Sequence, residues 1–529
     1  MQTSLNKKVG IASLIMISSV FLSRVTGLLR EMVIAAVGGI SSDVDAYQVA
    51  FILPEVLNHV VAAGFLSVTF IPIFNQYLVK DSEKEGWRVF SLILTTFGSG
   101  LLVLILIACV WAEPLVNLVA HGIKSPETKA LAVKMTRIIL PAQFFFFTGG
   151  LFMAVQFAKE RFFLPAMAPL IYNLGIILGG LILSPWIGIE GFSWGVLVGA
   201  FFGNFFLQWI GAGRVGMSFT FSIDIFHPDL RRYLFLTLPL ILGLTMMFST
   251  EFFFRLFGAY MPEGTIAALN YGLRITLILV GLFGQAVGAA SFPFMSRLVA
   301  EGRMDDMNQL LNQTLRYLSL VIPFSILLMV LRHEVVVILF KRGSFDVAAT
   351  QLTSQILPFL LIGTFAFSAQ TIVVRGYYAM QDTLFPAAFG TMAVALSIPF
   401  YLMGMRQWGP VGVALGVSFS ALLQVIVLYA LWNKRSKNRG QDVYGHAGKM
   451  IVISVFLGLI LEVFRRIALS GFDQWTFIGS LMTILITGVL FCFLLYLFGR
   501  WLKIHEIRDV FDKLLIKRKR GFNKASSPD

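Results

Sequence analysis

Apolar residues fill this chain in runs of about twenty, and short polar connections between the runs carry most of the charge. The runs fall near 11–38, 46–75, 89–112, 135–158, 164–184, 191–212, 233–258, 265–295, 314–331, 351–380, 386–405, 410–432, 449–464 and 475–498. A helix rises about 1.5 Å per residue and a bilayer core is about 30 Å thick, so each run matches one crossing. The pattern predicts an all-α integral membrane protein with about fourteen transmembrane helices. The first run follows Asn6, Lys7 and Lys8, as a signal peptide would, but it is too long and lacks a small-residue cleavage site, which predicts a retained helix. Beyond the last run, Ile507, Val510, Phe511, Leu514 and Leu515 recur at helical spacing, followed by "KRKRGFNK" at 517–524. That combination predicts an interfacial amphipathic helix beside anionic lipid headgroups, the alternative being a solvated helical tail.

Composition agrees with the pattern. Of 529 residues, 57% are hydrophobic and 13% charged, against about 25% charged in soluble domains. The net charge of +14 sits in connections and at the tail, which points to membrane lipids and away from nucleic acid. Lys7, Lys8, Lys80, Lys84, Arg88, Lys159, Arg161, Arg214, Arg231, Arg232 and "NKRSKNRG" (433–440) fall on one side of the alternation. Connections 39–44, 185–190 and 259–264 on the other side hold no Lys or Arg, and "RHEVVVILFKRGSFD" (332–346) is the exception there. The bias predicts that both termini lie in the cytoplasm. Cys109 and Cys492 both lie in apolar runs, against a disulfide framework. No Walker A sequence, G-x-S-x-G elbow, dinucleotide fingerprint or Cys/His metal spacing occurs, so neither cofactor nor metal is expected.

An internal repeat is visible. Ala158, Pro165 and Ala166 reappear as Ala379, Pro386 and Ala387; Gly188, Gly191 and Gly195 as Gly409, Gly412 and Gly416; Pro72 as Pro293, all displaced by 221 residues. The repeating unit holds six runs, an even number, so the two copies share one orientation, as in transporters with parallel repeats and a substrate site between halves. The predicted division is a six-helix lobe at 1–215, a second at 216–434, two extra helices at 435–498 and a basic amphipathic tail at 499–529.

Charges inside the runs are costly and mark function. Glu251 and Arg255 stand four apart, as do Glu55 and His59, so local pairing accounts for them. Arg24, Arg30, Arg274 and Arg375 have no acidic residue three or four positions away, and Glu31 is two turns from Arg24. Arg375 lies near the end of its run, where it can snorkel. Arg24, Arg30 and Arg274 predict a cationic central cavity, and guanidinium, a planar fork that stays charged, suits phosphate.

"SRVTGLLRE" (23–31), "DAYQVAFILP" (45–54), "FKRGSFD" (340–346) and "RGYYAMQDTLFP" (375–386) resemble the signature stretches of the MurJ (MviN) lipid II flippases, in the multidrug/oligosaccharidyl-lipid/polysaccharide exporter superfamily. The resemblance covers nearly the whole chain. It implies that undecaprenyl-pyrophosphate-linked peptidoglycan precursor (lipid II) moves from the inner to the outer leaflet by alternating access. It also implies that Arg24, Arg30 and Arg274 line the cavity, that Asp45 is essential, and that helices 13 and 14 hold the polyprenyl tail. The chain departs from the family pattern at Asn58, where an arginine is usual, and at Ala63, where a glutamate is usual. His59 can supply part of the missing cation. The expected substrate-binding set is thus Arg24, Arg30, Asp45, Asn58, His59 and Arg274, with Glu31, Glu55, Glu251, Arg255 and Arg375 secondary.

The function expected is a flippase rather than an enzyme, coupled to the membrane potential because 386–432 contains no Asp or Glu for a carboxylate sodium site. Export of another polyprenyl-pyrophosphate glycan, such as an O-antigen or capsule unit, is the alternative. A drug/cation antiporter fits poorly with cavity arginines, and a lipid-modifying enzyme would rest on Glu55/His59 alone.

Overall fold

The computed structural model describes residues 2–61, 69–224, 226–509 and 512. The described elements are helices, with no strand among them. The chain divides into two compact units, 1–268 with 342–349, and 269–341 with 350–529.

The first unit holds α1 (Gln2–Gly38), α2 (Ser42–Ala50), α3 (Ile52–Val61), α4 (Ile71–Val79), α5 (Glu83–Val110), α6 (Ala112–Val119), α7 (Pro126–Ile139), α8 (Ala142–Ala158), α9 (Phe163–Ile187), α10 (Glu190–Gly199), a π-helical turn at Ala200–Phe206, α11 (Leu207–Arg214) and α12 (Pro228–Gly258). Polar punctuation starts the helices: Ser41 Oγ accepts from the Val44 N–H before α2, and Ser125 caps α7 with Pro126 in its first turn. The core is aromatic, with Phe70, Phe74, Trp87, Phe90, Phe147 and Phe152 buried together. α9 and α10 approach through small residues. A Cβ on Gly179 would lie 2.4 Å from the Gly195 Cα, so only glycine permits this spacing.

The second unit takes α13 (Thr265–Leu279) from Leu269 onward, a π-helical turn at Val280–Gln285, α14 (Ala286–Ala300), α15 (Met304–Leu318), α16 (Val321–Val330), α17 (Arg332–Phe340), α18 (Val347–Leu361) from Thr350, α19 (Thr364–Ala379), α20 (Leu384–Ser436), α21 (Gln441–Ala468) and α22 (Phe477–Trp501). After α22 the chain folds back. Ile504 and Ile507 join a buried cluster with Met450, Leu457, Phe491 and Leu495. Glu506 pairs with Arg316 at 2.6 Å, and Tyr317 donates to Asp509 at 2.6 Å. Ile507, only 1% exposed, is therefore turned to protein, not to lipid as the interfacial-helix reading has it. Val510, Phe511, Leu514, Leu515 and 517–524 lie outside the described residues.

Among the described residues nine helices are long and apolar enough to cross a membrane, or ten if α18 and α19, bent by 43°, form one span. The sequence predicts about fourteen. One source of the difference is α20, whose 53 residues carry two predicted runs joined at Gly409, a non-helical residue. The runs 11–38, 46–75 and 233–258 correspond to α1, to α2 through α4, and to α12, which stand outside that count.

The backbone carries the repeat independently of residue type. Positive φ occurs at Asp81 and Gly302, Glu160 and Gln381, Gly188 and Gly409, Gly216 and Lys437, four pairs each separated by 221. Gly188 (φ 60°, ψ −146°) and Gly409 (φ 57°, ψ −132°) share nearly one conformation.

Candidate functional site

Two polar clusters lie inside the first unit. In the first, Arg30 on α1 donates through Nη2 to Glu31 at 2.7 Å and through Nη1 to Asn173 Oδ1 on α9 at 3.1 Å. The Asn173 Nδ2 donates in turn to the Ser23 carbonyl and to Thr26 Oγ1, both at 3.3 Å. One buried carboxamide thus fixes the guanidinium and ties α1 to α9. Asn173 escapes a search for charges, but it interrupts an otherwise apolar helix, and a lone amide in such a helix needs partners.

The second cluster joins α3 to α12. Arg255, 2% exposed, pairs with Glu55 through 2.6 and 3.1 Å bonds and with Glu251 at 3.0 Å. The i, i+4 pair Glu251–Arg255 is present as the spacing predicts. The Glu55 carboxylate, however, turns to Arg255 rather than to His59, whose Nδ1 meets the Glu55 carbonyl oxygen instead. A guanidinium outcompetes a neutral imidazole because its charge persists and its fork matches a carboxylate. Tyr172 lies within electrostatic range of Arg30, Glu31 and Glu55, and Arg255 within range of Glu31, so the clusters share one field. Arg30 and Arg255 are both engaged by carboxylates, whereas the sequence left Arg30 without a local partner.

Asp45, 6% exposed, accepts from the Gly264 N–H at 2.7 Å and the Ala267 N–H at 2.8 Å. It caps the first turn of α13 from α2, satisfying donors that a helix start leaves open. The same end of the unit is closed by tight backbone contacts. The Ser344 N–H donates to the Ala36 carbonyl at 2.8 Å, and Gly343 (φ 56°) packs where a Cβ would lie 2.2 Å from that oxygen. Within "FKRGSFD" it is Gly343 that this close approach requires.

Arg24 is exposed on α1, and Asn58 and His59 are half-buried on α3. Ala63 lies outside the described residues. Arg274 and Arg375 belong to the second unit, both half-buried. A Cβ on Gly288 would lie 2.4 Å from Arg375 Nη1, and that nitrogen is buried without a hydrogen-bond partner among the described residues, unlike a snorkelling head. No group of three His, Cys, Asp or Glu that could hold a metal occurs among the described residues.

A duplicated helical scaffold with nine or ten apolar spans among the described residues, and guanidinium and carboxylate groups buried among its helices, defines a multi-pass membrane protein. The fold is shared with a solved inward-facing multidrug resistance MATE family transporter of the MOP superfamily, which superposes with TM-score 0.60 at 15% identity, over 80% of this chain and 96% of that one. The family is narrower. The chain belongs to the family described as "Lipid II flippase MurJ", whose sequence model matches residues 34–491. A probable lipid II flippase MurJ of Bdellovibrio bacteriovorus is 25% identical over 504 residues, 93% of this chain and 95% of that protein. A lipid II flippase MurJ of Burkholderia cenocepacia is 27% identical over 429 residues, 78% and 82% of the two chains. A solved lipid II flippase MurJ in an inward closed conformation matches with TM-score 0.73 at 23% identity, over 92% of this chain and 99% of that one. The family is one of transporters, not enzymes.

Proposed function

We propose that this protein moves lipid II from the inner to the outer leaflet of the bacterial cytoplasmic membrane by alternating access, with both termini in the cytoplasm. Membership of the lipid II flippase MurJ family across 34–491 carries the reading. The pyrophosphate is bound by guanidinium groups, with Arg24, Arg30 and Arg274 as donors and Asn58 and His59 beside them, while Asp45 supports the set as the cap on α13. Arg30 meets the substrate in competition with Glu31, and Asn173 holds its other nitrogen in place meanwhile. Glu55, Glu251 and Arg255 organise helices α3 and α12, and Arg375 acts within its own unit.

Membrane potential drives the cycle in this reading, because a charge crossing the field gains about 2.3 kcal/mol per 100 mV. Cysteine labelling at Ser23 or Thr26 checks it: dissipating the potential should trap one accessibility state. Unchanged labelling together with sodium dependence defeats the coupling.

The test of the function is rescue of a bacterium depleted of its own lipid II flippase. The chain should sustain growth, and Arg24→Ala, Arg30→Ala and Arg274→Ala should not at equal expression. Failure of the unaltered chain would favour the second reading, another polyprenyl-pyrophosphate glycan, which Asn58 and Ala63 support. Binding to such a glycan more than tenfold tighter than to lipid II, about 1.4 kcal/mol, would establish it.

A further inference from the structure

The non-helical segment joining α11 to α12 presents four large apolar side chains outward. Phe219 is 48% exposed, Phe221 76%, Ile223 54% and Phe226 76%. Three of them alternate, at 219, 221 and 223. The intervening backbone is fastened to α5: the Thr220 N–H donates to Ser91 Oγ at 3.1 Å, and the Ser222 carbonyl accepts from Thr95 Oγ1. Met217, at the start of the segment, packs against the aromatic core. The segment is thus a strap laid along one turn of α5 with its apolar side chains left uncovered by this unit.

Depth decides what covers them. The uncharged part of α5 begins at Val89, after Arg88, so Ser91 and Thr95 lie about 3 and 9 Å into it at 1.5 Å per residue. That is the layer in which an interfacial segment buries its apolar face, about 5–10 Å below the headgroups. The flanks carry the charges expected there. Arg214, Arg231 and Arg232 are exposed, and the Arg231 guanidinium stands 5.7 Å over the Phe226 ring. Arg232 also donates to Gln76 at 2.9 Å, so one of the bases is fixed to the scaffold. Asp224 accepts from the Phe226 N–H at 3.0 Å and is exposed, which limits the strap to headgroup level and bars deeper insertion.

We propose that residues 217–224 with Phe226 form a lipid-anchoring strap, with Phe219, Phe221, Ile223 and Phe226 seated among acyl chains and Arg231 and Arg232 on anionic phospholipid headgroups. A second copy of the chain could cover the same apolar face, but exposed arginines on both flanks favour an anionic surface over a copy carrying identical charges. The inference rests on the membrane placement of α5 and is independent of the transported substrate.

Spin labels decide it. The full chain carrying Cys109→Ser and Cys492→Ser receives single cysteines at 219, 221, 223 and 226, with a control at Arg439, and is reconstituted in nanodiscs containing phosphatidylglycerol. Labels at the four strap positions should collide with oxygen in preference to a water-soluble nickel chelate, the reverse of the control. Replacing phosphatidylglycerol by phosphatidylcholine, or introducing Arg231→Gln with Arg232→Gln, should raise nickel collisions at 226 at least twofold. Nickel-dominated collisions at all four positions would place the strap in water and overturn the proposal. Labels immobilised and shielded from both reagents would assign the face to a protein partner and overturn it equally. Lipid exposure unaffected by headgroup charge would overturn the anionic part.

Discussion

The two halves of the repeat share their turns and differ in their charges. Four positive-φ positions of the first half recur 221 residues later. The charged and polar residues of the first half do not: Arg24, Arg30, Asp45, Glu55 and Asn173 correspond to Thr245, Glu251, Ile266, Thr276 and Val394. Duplication preserved what the backbone needs in order to reverse direction, because a wrong φ at a turn is penalised wherever it occurs. Side chains inside the span were free to diverge. One position exchanged sign altogether, Arg30 for Glu251, and each now belongs to a different ion-paired cluster.

The buried cluster of Glu55, Glu251 and Arg255 offers the largest effect by which to break this contrast. Arg255→Met should destabilise the protein by about 3–5 kcal/mol, the cost of stranding buried carboxylates, read as a fall in thermal unfolding temperature. Ile34, the residue at the equivalent place in the first half, should accept Val for about 0.5–1.5 kcal/mol. The shared turns come next. Gly188→Ala and Gly409→Ala should each cost about 1–3 kcal/mol, and by similar amounts, since both backbones occupy a region open almost only to glycine. Unequal losses would show that the halves are not mechanically equivalent. Asp45→Asn should cost about 1–2 kcal/mol through the weakened cap on α13. Its repeat counterpart Ile266 has no such role.

Glu31→Gln addresses binding. Freed of a competing carboxylate, Arg30 should hold a pyrophosphate ligand more tightly by about tenfold, or 1.4 kcal/mol, in an isothermal titration with detergent-solubilised protein. Weaker binding would mean that Glu31 orients Arg30 and does not compete with the ligand. The smallest effect lies at the connection after α14. Hydrogen bonds from Arg297 and then Arg303 hold the Glu301 carboxyl below the usual carboxylate range. The folded value being depressed, its contribution to stability is present above the unfolded value and lost as pH falls through the folded one. The repeat counterpart, Lys80, carries no carboxyl, so carbon-detected NMR should show carboxyl titration at position 301 only.

The spans and the Glu251–Arg255 pair were legible in sequence because each depends on spacing along one helix, and the duplication because its residues recur at one displacement of 221. The Arg255–Glu55 bonds were not, since they close a separation of 200 residues that no local pattern encodes. Arg30–Glu31 was missed for a different reason. Adjacent residues on a helix do not face each other, yet two long side chains in apolar surroundings can bend together, as these do at 2.7 Å. Asp45 looked like a ligand-binding group by resemblance, and its role as a cap needed the position of Gly264. Ile507 shows the converse: helical spacing marked its apolar face correctly but could not say whether lipid or protein covers it.

The fold-back after α22 sets where the chain can be shortened. A protein ending at Leu502 would lose Glu506 and Asp509, leaving the Arg316 guanidinium without its 2.6 Å partner and opening the pocket that Ile507 fills beside Gly499. Ending at Asp512 would keep every one of those contacts. Reporter fusions and affinity tags therefore belong after 512, and residues 503–509 are part of the folded body rather than a handle.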